Sequence, residues 1–156
     1  MNICFIPSSI LRIKLLRGFL LATQGSIMAS DIAMNNESKA VIHVGGGFHH
    51  AHFKGGSGFC VYNDIGLTCK YLLEYYGDKI NKILVIDLDA HQGDGIGKDK
   101  EILGDRIVLA DIYNNKVYPQ DEHAEEFIDY KRFVTKKDSS SNYLEKLESL
   151  LSDIKR

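Results

Sequence analysis

The densest group of polar side chains in the sequence follows a short apolar run. Asp87, Asp89 and His91 alternate with apolar residues directly after the run 82–86. If the chain stays extended there, the two carboxylates and the imidazole point to one side. Oxygen and nitrogen donors at this spacing suit a metal such as zinc, and open α/β sheets bind ligands at the carboxyl ends of their strands. The pattern therefore predicts a metal site at a strand end.

Neither a calcium-binding loop nor a dinucleotide-binding loop fits this cluster. An EF-hand loop beginning at Asp87 would need glycine at its sixth position and glutamate at its twelfth, where the sequence has Gln92 and Lys98. A dinucleotide-binding loop over residues 93–97 would lack the last glycine of that fingerprint, and its acidic residues would repel a pyrophosphate. Carboxylates that are merely solvated or that cap a helix stay as the alternative.

Tandem histidines follow a second apolar run, 40–44, which ends in three glycines. His49 and His50 cannot both project the same way from a strand, but on a tight loop they can converge on one point. They are predicted to be functional because the neighbouring Asp-rich loop can supply orienting carboxylates. Single histidines are more often structural. His43 is assigned to that group, and His52 and His123 are assigned as surface or structural residues.

A glycine-rich stretch, 55–60, comes next. It lacks the Lys-Ser/Thr of a phosphate-binding loop, so phosphate binding is not expected. Phe59 at its end either forms an apolar wall of a substrate channel or belongs to a flexible linker. The residues themselves favour neither.

The elements that must position these loops alternate between strand and helix. Three apolar runs predict buried strands, at 40–44, 82–86 and 106–110. A helix is predicted over 64–76, capped by Asn63 or Asp64 and ended by Gly77. Strand, helix and strand predict a βαβ unit. We therefore expect an α/β fold with a parallel sheet and helices on both faces, in which both polar loops open at one edge of the sheet.

The remaining elements are predicted with less regular patterns. A packed helix is expected around residues 15–27, where basic residues imitate a signal peptide but polar residues interrupt the apolar run. The segment 113–141 is polar and is predicted to be surface loop with one short helix near 122–127. A last helix is predicted over 142–154, opened by Asn142.

Composition limits the class of protein. The 156 residues suit one globular domain, and a net charge of −2 gives no attraction to nucleic acid, so no direct nucleic-acid partner is expected. Three cysteines without CxxC spacing favour a reducing compartment. No run approaches the ~20 apolar residues of a membrane span, so no membrane partner is expected.

Three motifs resemble the histone deacetylase family in order and spacing: residues 45–50, 58–65 and 86–95. Four segments are most similar to its class IV branch: 25–29, 43–48, 89–93 and 111–114. The resemblance covers 15–156 as a partial histone deacetylase domain and leaves 1–14 as a poorly matched N-terminal segment. It implies the arginase/deacetylase fold, a three-layer sandwich around a parallel sheet, here incomplete.

The resemblance implies zinc-dependent hydrolysis of the side-chain amide of an acylated lysine. His50 is then the general base, and a histidine protonates the departing amine. The implied site residues are Asp89 and His91 as zinc ligands, His49 and His50 as catalytic histidines, Asp87 and Asp94 as their orienting carboxylates, and Gly58 and Phe59 as substrate-binding residues of the acyl-lysine tunnel.

The resemblance also implies cofactors and partners. Zn²⁺ is the catalytic metal, and Asp87, Asp89 and His91 help to hold a structural monovalent cation such as K⁺, with a contribution from the region 111–112. The substrate is an acylated lysine on a histone or another protein, and the compartment is the nucleus, the cytoplasm or both. Two alternatives stay open: an amidohydrolase acting on small molecules such as acetylpolyamines, and an inactive remnant that serves as a binding or regulatory module.

The chain departs from the family pattern at two functional positions. The later motifs that carry the third zinc ligand, an Asp, and the carbonyl-polarising Tyr do not occur in it, and Tyr113, Tyr118 and Tyr143 lie in the wrong contexts to replace that Tyr. Catalytic zinc normally takes three protein ligands. We therefore expect the 156-residue chain to bind zinc weakly and to show little or no deacylase turnover.

Overall fold

A three-stranded parallel sheet lies at the centre of the computed structural model, which describes residues 7–35 and 40–155. The strands are β1 (Ile83–Asp87), β2 (Ile107–Tyr113) and β3 (Tyr130–Phe133), in that order across the sheet. The register places Asp87 opposite Asp111 at the carboxyl end. The predicted parallel α/β sheet is confirmed, and β1 forms one of its edges.

Helices pack on both faces of β2. The helices that contribute are α3 (Asp64–Tyr75), α4 (Asp94–Leu103) and α6 (Ser140–Ile154), and the short α5 (Glu122–Glu126) packs against α4. Because side chains alternate along a strand, Ile107 and Leu109 pack with the core residues of α3 and α4, whereas Ala110 and Ile112 pack against Leu150 of α6. The α4 and α5 segments lie between successive strands, as parallel connections require.

The N-terminal helical stretch confirms the helix predicted around 15–27 and is longer. It begins as α1 (Ser8–Ile10), continues as a π-helix over Leu11–Leu16 and ends as α2 (Arg17–Asn35). Near its end the Asp31 carboxylate accepts hydrogen bonds from the hydroxyls of Tyr71 and Tyr76, which fastens α2 to α3. Among residues 7–35 and 40–155, no helix combines the length and apolar character of a membrane span. The predicted N-terminal segment 1–14 lies partly outside the described residues.

Residues 40–44 do not form the predicted strand. Ile42 is 89% exposed and Val44 is 94% exposed. A strand needs a neighbour to pair its backbone groups, and the strands of the described residues all lie in the β1–β2–β3 sheet, which does not include this segment. The segment is instead tied to α2, where His43 Nε2 donates to the Ala22 carbonyl at 3.0 Å. The strand prediction was wrong, and with it the predicted βαβ unit, since α4 is the helix between the paired strands β1 and β2.

Two further predictions need correction toward the C-terminus. The segment 113–141 contains α5 as expected, but it also contains β3, which the sequence pattern missed because its four residues, Tyr-Lys-Arg-Phe, include no apolar run. The last helix begins at Ser140 rather than at Asn142. Its N-cap is Ser139, whose hydroxyl accepts a hydrogen bond from the Asn142 amide at 3.2 Å.

The first turn of α4 packs against the backbone of the tandem-histidine loop. The Gly95 amide donates to the His49 carbonyl at 2.9 Å. A Cβ atom on Gly95 would lie 2.3 Å from the Ala51 carbonyl oxygen and 2.6 Å from that of His49. Both neighbours are backbone atoms, so the loop itself would have to move.

Gly95→Ala is therefore expected to lower the free energy of unfolding by about 2–3 kcal/mol, a typical result of overpacking. Urea denaturation followed by circular dichroism measures this. Gly18→Ala is the matched control, because a Cβ there meets no atom of the described residues within 4 Å and α2 gains helix propensity. Equal urea midpoints for Gly95→Ala and the unmodified chain would contradict the expectation.

Candidate active site

Both polar loops meet at the carboxyl end of β1. His49 Nδ1 lies 2.6 Å from Asp87 Oδ2, and His49 Nε2 lies 3.8 Å from Asp89 Oδ1. The ring centroids of His50 and His91 are 6.0 Å apart. The expected convergence of the two loops is therefore present, although residues 40–44 are not a strand.

The start of α3 fixes the backbone just before the tandem histidines. Asp64, only 1% exposed, accepts hydrogen bonds from the Gly47 and Phe48 amides at 2.8 Å each. It also accepts one from the Ser26 hydroxyl of α2. The N-cap of α3 is Asn63 rather than Asp64, so the Asp64 carboxylate is available for this anchoring. The sequence indicates Asp64 as a possible helix cap and as part of the 58–65 motif, but it does not predict this contact.

Each tandem histidine pairs with one carboxylate through Nδ1. The distance is 2.6 Å from His49 to Asp87 and 2.6 Å from His50 to Asp94. An ionised carboxylate can only accept, so the Nδ1 atoms carry the protons and each Nε2 is the basic nitrogen. These are the pairs that the family resemblance implied, and their catalytic roles stay predictions.

The pKa values of two site residues, His49 and Asp89, are shifted in opposite directions. Burial opposes protonation of His49, but the hydrogen bond to Asp87 and the charges of Asp87 and Asp89 outweigh it and raise the pKa of His49. Burial alone would raise the pKa of Asp89. The hydrogen bonds from the His91 amide and ring outweigh burial and lower this pKa. Asp89 is therefore an anion at neutral pH.

A pocket of about 550 Å³ opens beside these side chains. Gly58 and Phe59 at its rim have φ angles of 50° and 65°, and Phe59 is fully exposed. A Cβ on Gly58 would lie 2.2 Å from His50 Cδ2, so only glycine permits this approach. The lining residues are Gly47, His49, His50, Gly58, Phe59, Cys60, Asp89, His91 and Tyr118.

Tyr118 lines the pocket, although its sequence context indicated no role in the site. Its ring meets that of His50 edge-on, with centroids 5.1 Å apart, and its hydroxyl lies 2.7 Å from Ser57 Oγ. Tyr113 is buried and Tyr143 packs in the apolar cluster beneath α6, so neither lines this pocket. The available signal was the Tyr-Pro pair shortly after the carboxyl end of β2.

The sequence profile of the family described as Histone deacetylase domain matches residues 7–153 of this chain. The chain belongs to the histone deacetylase domain family. It is 37% identical over 151 residues to Histone deacetylase 2 of Arabidopsis thaliana, covering 96% of this chain and 37% of that protein. It is also 44% identical over 71 residues to the acetoin utilization protein AcuC of Staphylococcus aureus strain MRSA252, covering 46% of this chain and 18% of that protein.

Solved histone deacetylase homologues have the same fold. The crystal structure of an HDAC homolog complexed with SAHA matches with a TM-score of 0.74 and 26% identity, over 88% of this chain and 38% of that chain. The HDAC homolog from Aquifex aeolicus matches with a TM-score of 0.74 and 23% identity, over 89% of this chain and 38% of that chain. The arginase/deacetylase fold is thus confirmed for a chain that spans less than two fifths of these relatives. The class IV assignment and the boundary at residue 15 stay predictions.

Histone deacetylases generally depend on zinc, and two side chains of this family member present suitable donors. Asp89 Oδ1 and His91 Nδ1 lie 2.8 Å apart. Carboxylate oxygen and imidazole nitrogen are both donors that zinc accepts. Within residues 7–35 and 40–155, no group of three or more His, Cys, Asp and Glu side chains is arranged to hold a metal. Catalytic zinc normally takes three protein ligands, so these two candidate side chains are fewer than such a site needs.

A buried carboxylate near the end of β2 lies beside this candidate site. Asp111 is 3% exposed, and its Oδ2 accepts a hydrogen bond from the Gly93 amide at 2.9 Å. Its Oδ1 is buried and has no hydrogen-bond partner among the described residues. Burial and the charge of Asp87 raise the pKa of Asp111 to about 8. A cation bound here would satisfy the Oδ1 atom and offset both effects.

Proposed function

We propose that this segment supplies the histidine–aspartate half of a zinc-dependent lysine deacylase site. The observation that carries the proposal is the pairing of His50 with Asp94, which is 2% exposed, at the wall of the pocket. This pairing leaves His50 Nε2 as a base directed away from its carboxylate. Membership of the histone deacetylase family and the names of the relatives support the same reaction.

The side chains of the segment would handle the protons of the reaction. His50 Nε2 takes a proton from the attacking water, and Asp94 holds the required tautomer and stabilises the resulting imidazolium. His49, whose pKa Asp87 helps to raise, donates a proton to the departing amine. Zinc, bound through Asp89 and His91, would supply polarisation of the acyl carbonyl and acidification of water.

The pocket favours a substrate with a slender apolar stem. Phe59 and Tyr118 supply aromatic surface, and Gly58 lets the chain pass close to His50. The side chain of an acylated lysine has such a stem, with a polar amide at its end. We therefore propose an acylated lysine on a histone or another protein as the substrate. The nuclear or cytoplasmic location stays a prediction.

An assay of peptide against polyamine tests this proposal. In a protein where this segment is part of a complete histone deacetylase domain, with zinc added, kcat/KM for an acetyl-lysine peptide is expected to exceed that for an acetylated polyamine by at least about tenfold. The opposite preference would identify a small-molecule amidohydrolase. A folded, zinc-loaded protein without turnover on either substrate would contradict both enzymatic hypotheses and favour a binding or regulatory module.

We also propose that a monovalent cation such as K⁺ binds where Asp87 and Asp111 meet, next to Asp89 and His91. The support is the buried Asp111 oxygen, which has no partner within the described part of the chain. Replacing tetramethylammonium by K⁺ at constant ionic strength is expected to raise the free energy of unfolding by about 1–3 kcal/mol, because the ion binds only the folded state. Urea denaturation in the two salts measures the difference.

Asp111→Asn is expected to remove this salt-specific stabilisation. Asp99→Asn is the matched control, since Asp99 is equally buried but accepts hydrogen bonds from the Phe53 amide and from Asn63, away from the proposed cation. It should keep the full response to K⁺. Identical urea midpoints in both salts for the unmodified chain would rule the cation site out.

A further inference from the structure

A lysine of α4 links the His50–Asp94 pair to a different loop. Lys98 Nζ lies 2.8 Å from Asp94 Oδ2 and 2.7 Å from Asp121 Oδ2. The other oxygen of Asp94 contacts His50 Nδ1 at 2.6 Å. One ammonium group therefore bridges the carboxylate that orients His50 and a carboxylate from the segment after β2.

A second contact fixes the same point of that segment. The Gln92 side chain donates to the Asp121 carbonyl at 2.9 Å and accepts from the Asp121 amide at 2.9 Å. Gln92 is only 1% exposed. The Asp121 side chain also caps α5, where its Oδ1 accepts from the Ala124 amide at 3.0 Å. These hydrogen bonds of Asp121 with Gln92 and Ala124 involve no positively charged group. Lys98 therefore provides the one ion pair of Asp121 within residues 7–35 and 40–155.

The loop held in this way carries Tyr118, three residues before Asp121. The Tyr118 ring contacts the His50 ring, and its hydroxyl contacts Ser57 in the glycine-rich loop. The three loops that line the pocket are therefore cross-linked, and Lys98 lies at the junction between the histidine pair and the Tyr118 loop.

The ion pair between Lys98 and Asp94 differs from one on the protein surface. The Asp94 side chain is 3% exposed and that of Lys98 is 29% exposed, so solvent screens this pair less than an exposed one. Without the ammonium, Asp94 and Asp121 would face each other as like charges. Asp94 is held by His50 and by burial, so Asp121 is the group expected to move, and Tyr118 with it.

We propose that Lys98 is a positioning residue that holds the Tyr118 wall of the pocket against His50 by binding Asp94 and Asp121 together. The inference rests on the proposed function only in treating this pocket as the substrate pocket. Its test measures structure and no turnover, so a failure of the deacylase proposal would leave the result interpretable.

The test uses the full chain with labelled histidine and tyrosine. Lys98→Met is expected to abolish the NMR nuclear Overhauser effect between the rings of Tyr118 and His50. It is also expected to speed hydrogen exchange at the amides of Val117 and Asp121 by about tenfold or more, the effect of losing a hydrogen bond to a charged group. Lys98→Arg should restore both signals nearly to those of the unmodified chain, because it keeps the charge.

Lys100→Met is the matched control. Lys100 lies two residues further along α4 and forms an ion pair with Asp129, away from the pocket. Its loss should leave the ring contact and the exchange in 114–121 unchanged. If Lys98→Met is folded and matches the unmodified chain, or if Lys100→Met loosens 114–121 equally, the proposal is overturned.

Asp121→Asn gives a second measurement if Lys98→Met does not fold. Asparagine keeps an oxygen that can cap α5 and removes only the charge that Lys98 binds. Faster exchange at Val117 by about tenfold is expected, together with a weakened contact between Tyr118 and His50. Exchange equal to that of the unmodified chain would overturn the proposal by itself.

Discussion

His50→Ala is expected to lower deacylase turnover by about 10²–10⁴-fold, the usual contribution of a general base. His50 contacts Asp94 through Nδ1 and lines the pocket, so its Nε2 is the base proposed to activate the attacking water. Because His50 is not a proposed metal ligand, zinc content should not change. Steady-state kinetics on an acetyl-lysine peptide, in a protein where this segment is part of a complete domain, measures the loss.

His52→Ala is the control for that experiment. His52 lies two residues further along the loop and forms a tight backbone bridge with Gly55, but its side chain does not line the pocket. Its replacement should leave kcat within about threefold, as expected for a residue that contributes no transition-state contact. A His50→Ala enzyme with the kcat of the unmodified enzyme would refute the role of His50 as general base.

Asp89→Asn and His91→Ala are each expected to lower zinc affinity by at least about 100-fold, the upper range for loss of even an outer-shell partner. The Asp89 carboxylate and the His91 ring are adjacent, and the described residues contain no group of three that could compensate for the loss of either. Equilibrium dialysis followed by elemental analysis gives zinc per chain. The complete domain is the appropriate protein, because two protein donors alone bind zinc weakly.

His43→Ala should separate a metal effect from a stability effect. Its ring packs against α2 at Gly25 and donates to the Ala22 carbonyl, and it does not line the pocket that Asp89 and His91 line. The variant is expected to keep its zinc and to unfold at a lower urea concentration. Stoichiometric zinc in both Asp89→Asn and His91→Ala would exclude these two residues as ligands.

Caps, stop residues and apolar runs in the sequence predicted the elements that depend mainly on neighbouring residues in the chain. The Asn63 cap and the Gly77 stop defined α3 to within one residue, and the apolar runs located β1 and β2. The two errors concern strands whose existence depends on neighbours. Residues 40–44 have strand composition but lie outside the β1–β2–β3 sheet, whereas β3 has no apolar run and forms because β2 pairs with it.

The same distinction holds within the site. Motif spacing identified the histidines and their carboxylates, and the structure shows His49 with Asp87 and His50 with Asp94. The sequence context of Tyr118 did not indicate a place in the pocket, because Tyr118 reaches His50 from a distant part of the chain and only the fold brings the two together. Long-range partners of this kind leave no periodic pattern for sequence analysis to recognise.

The open edge of β1 has a consequence for the chain in solution. On one side β1 pairs with β2, and on its opposite side no strand of residues 7–35 and 40–155 pairs with its backbone donors and acceptors. Leu84 and Ile86 in this strand are 43% and 40% exposed, and residues 40–44 add a second exposed apolar stretch. Such an edge can pair with any extended polypeptide, including another copy of this chain. A high protein concentration therefore favours intermolecular sheets over the monomer. Solubility of this chain therefore depends on whether a further strand covers that edge.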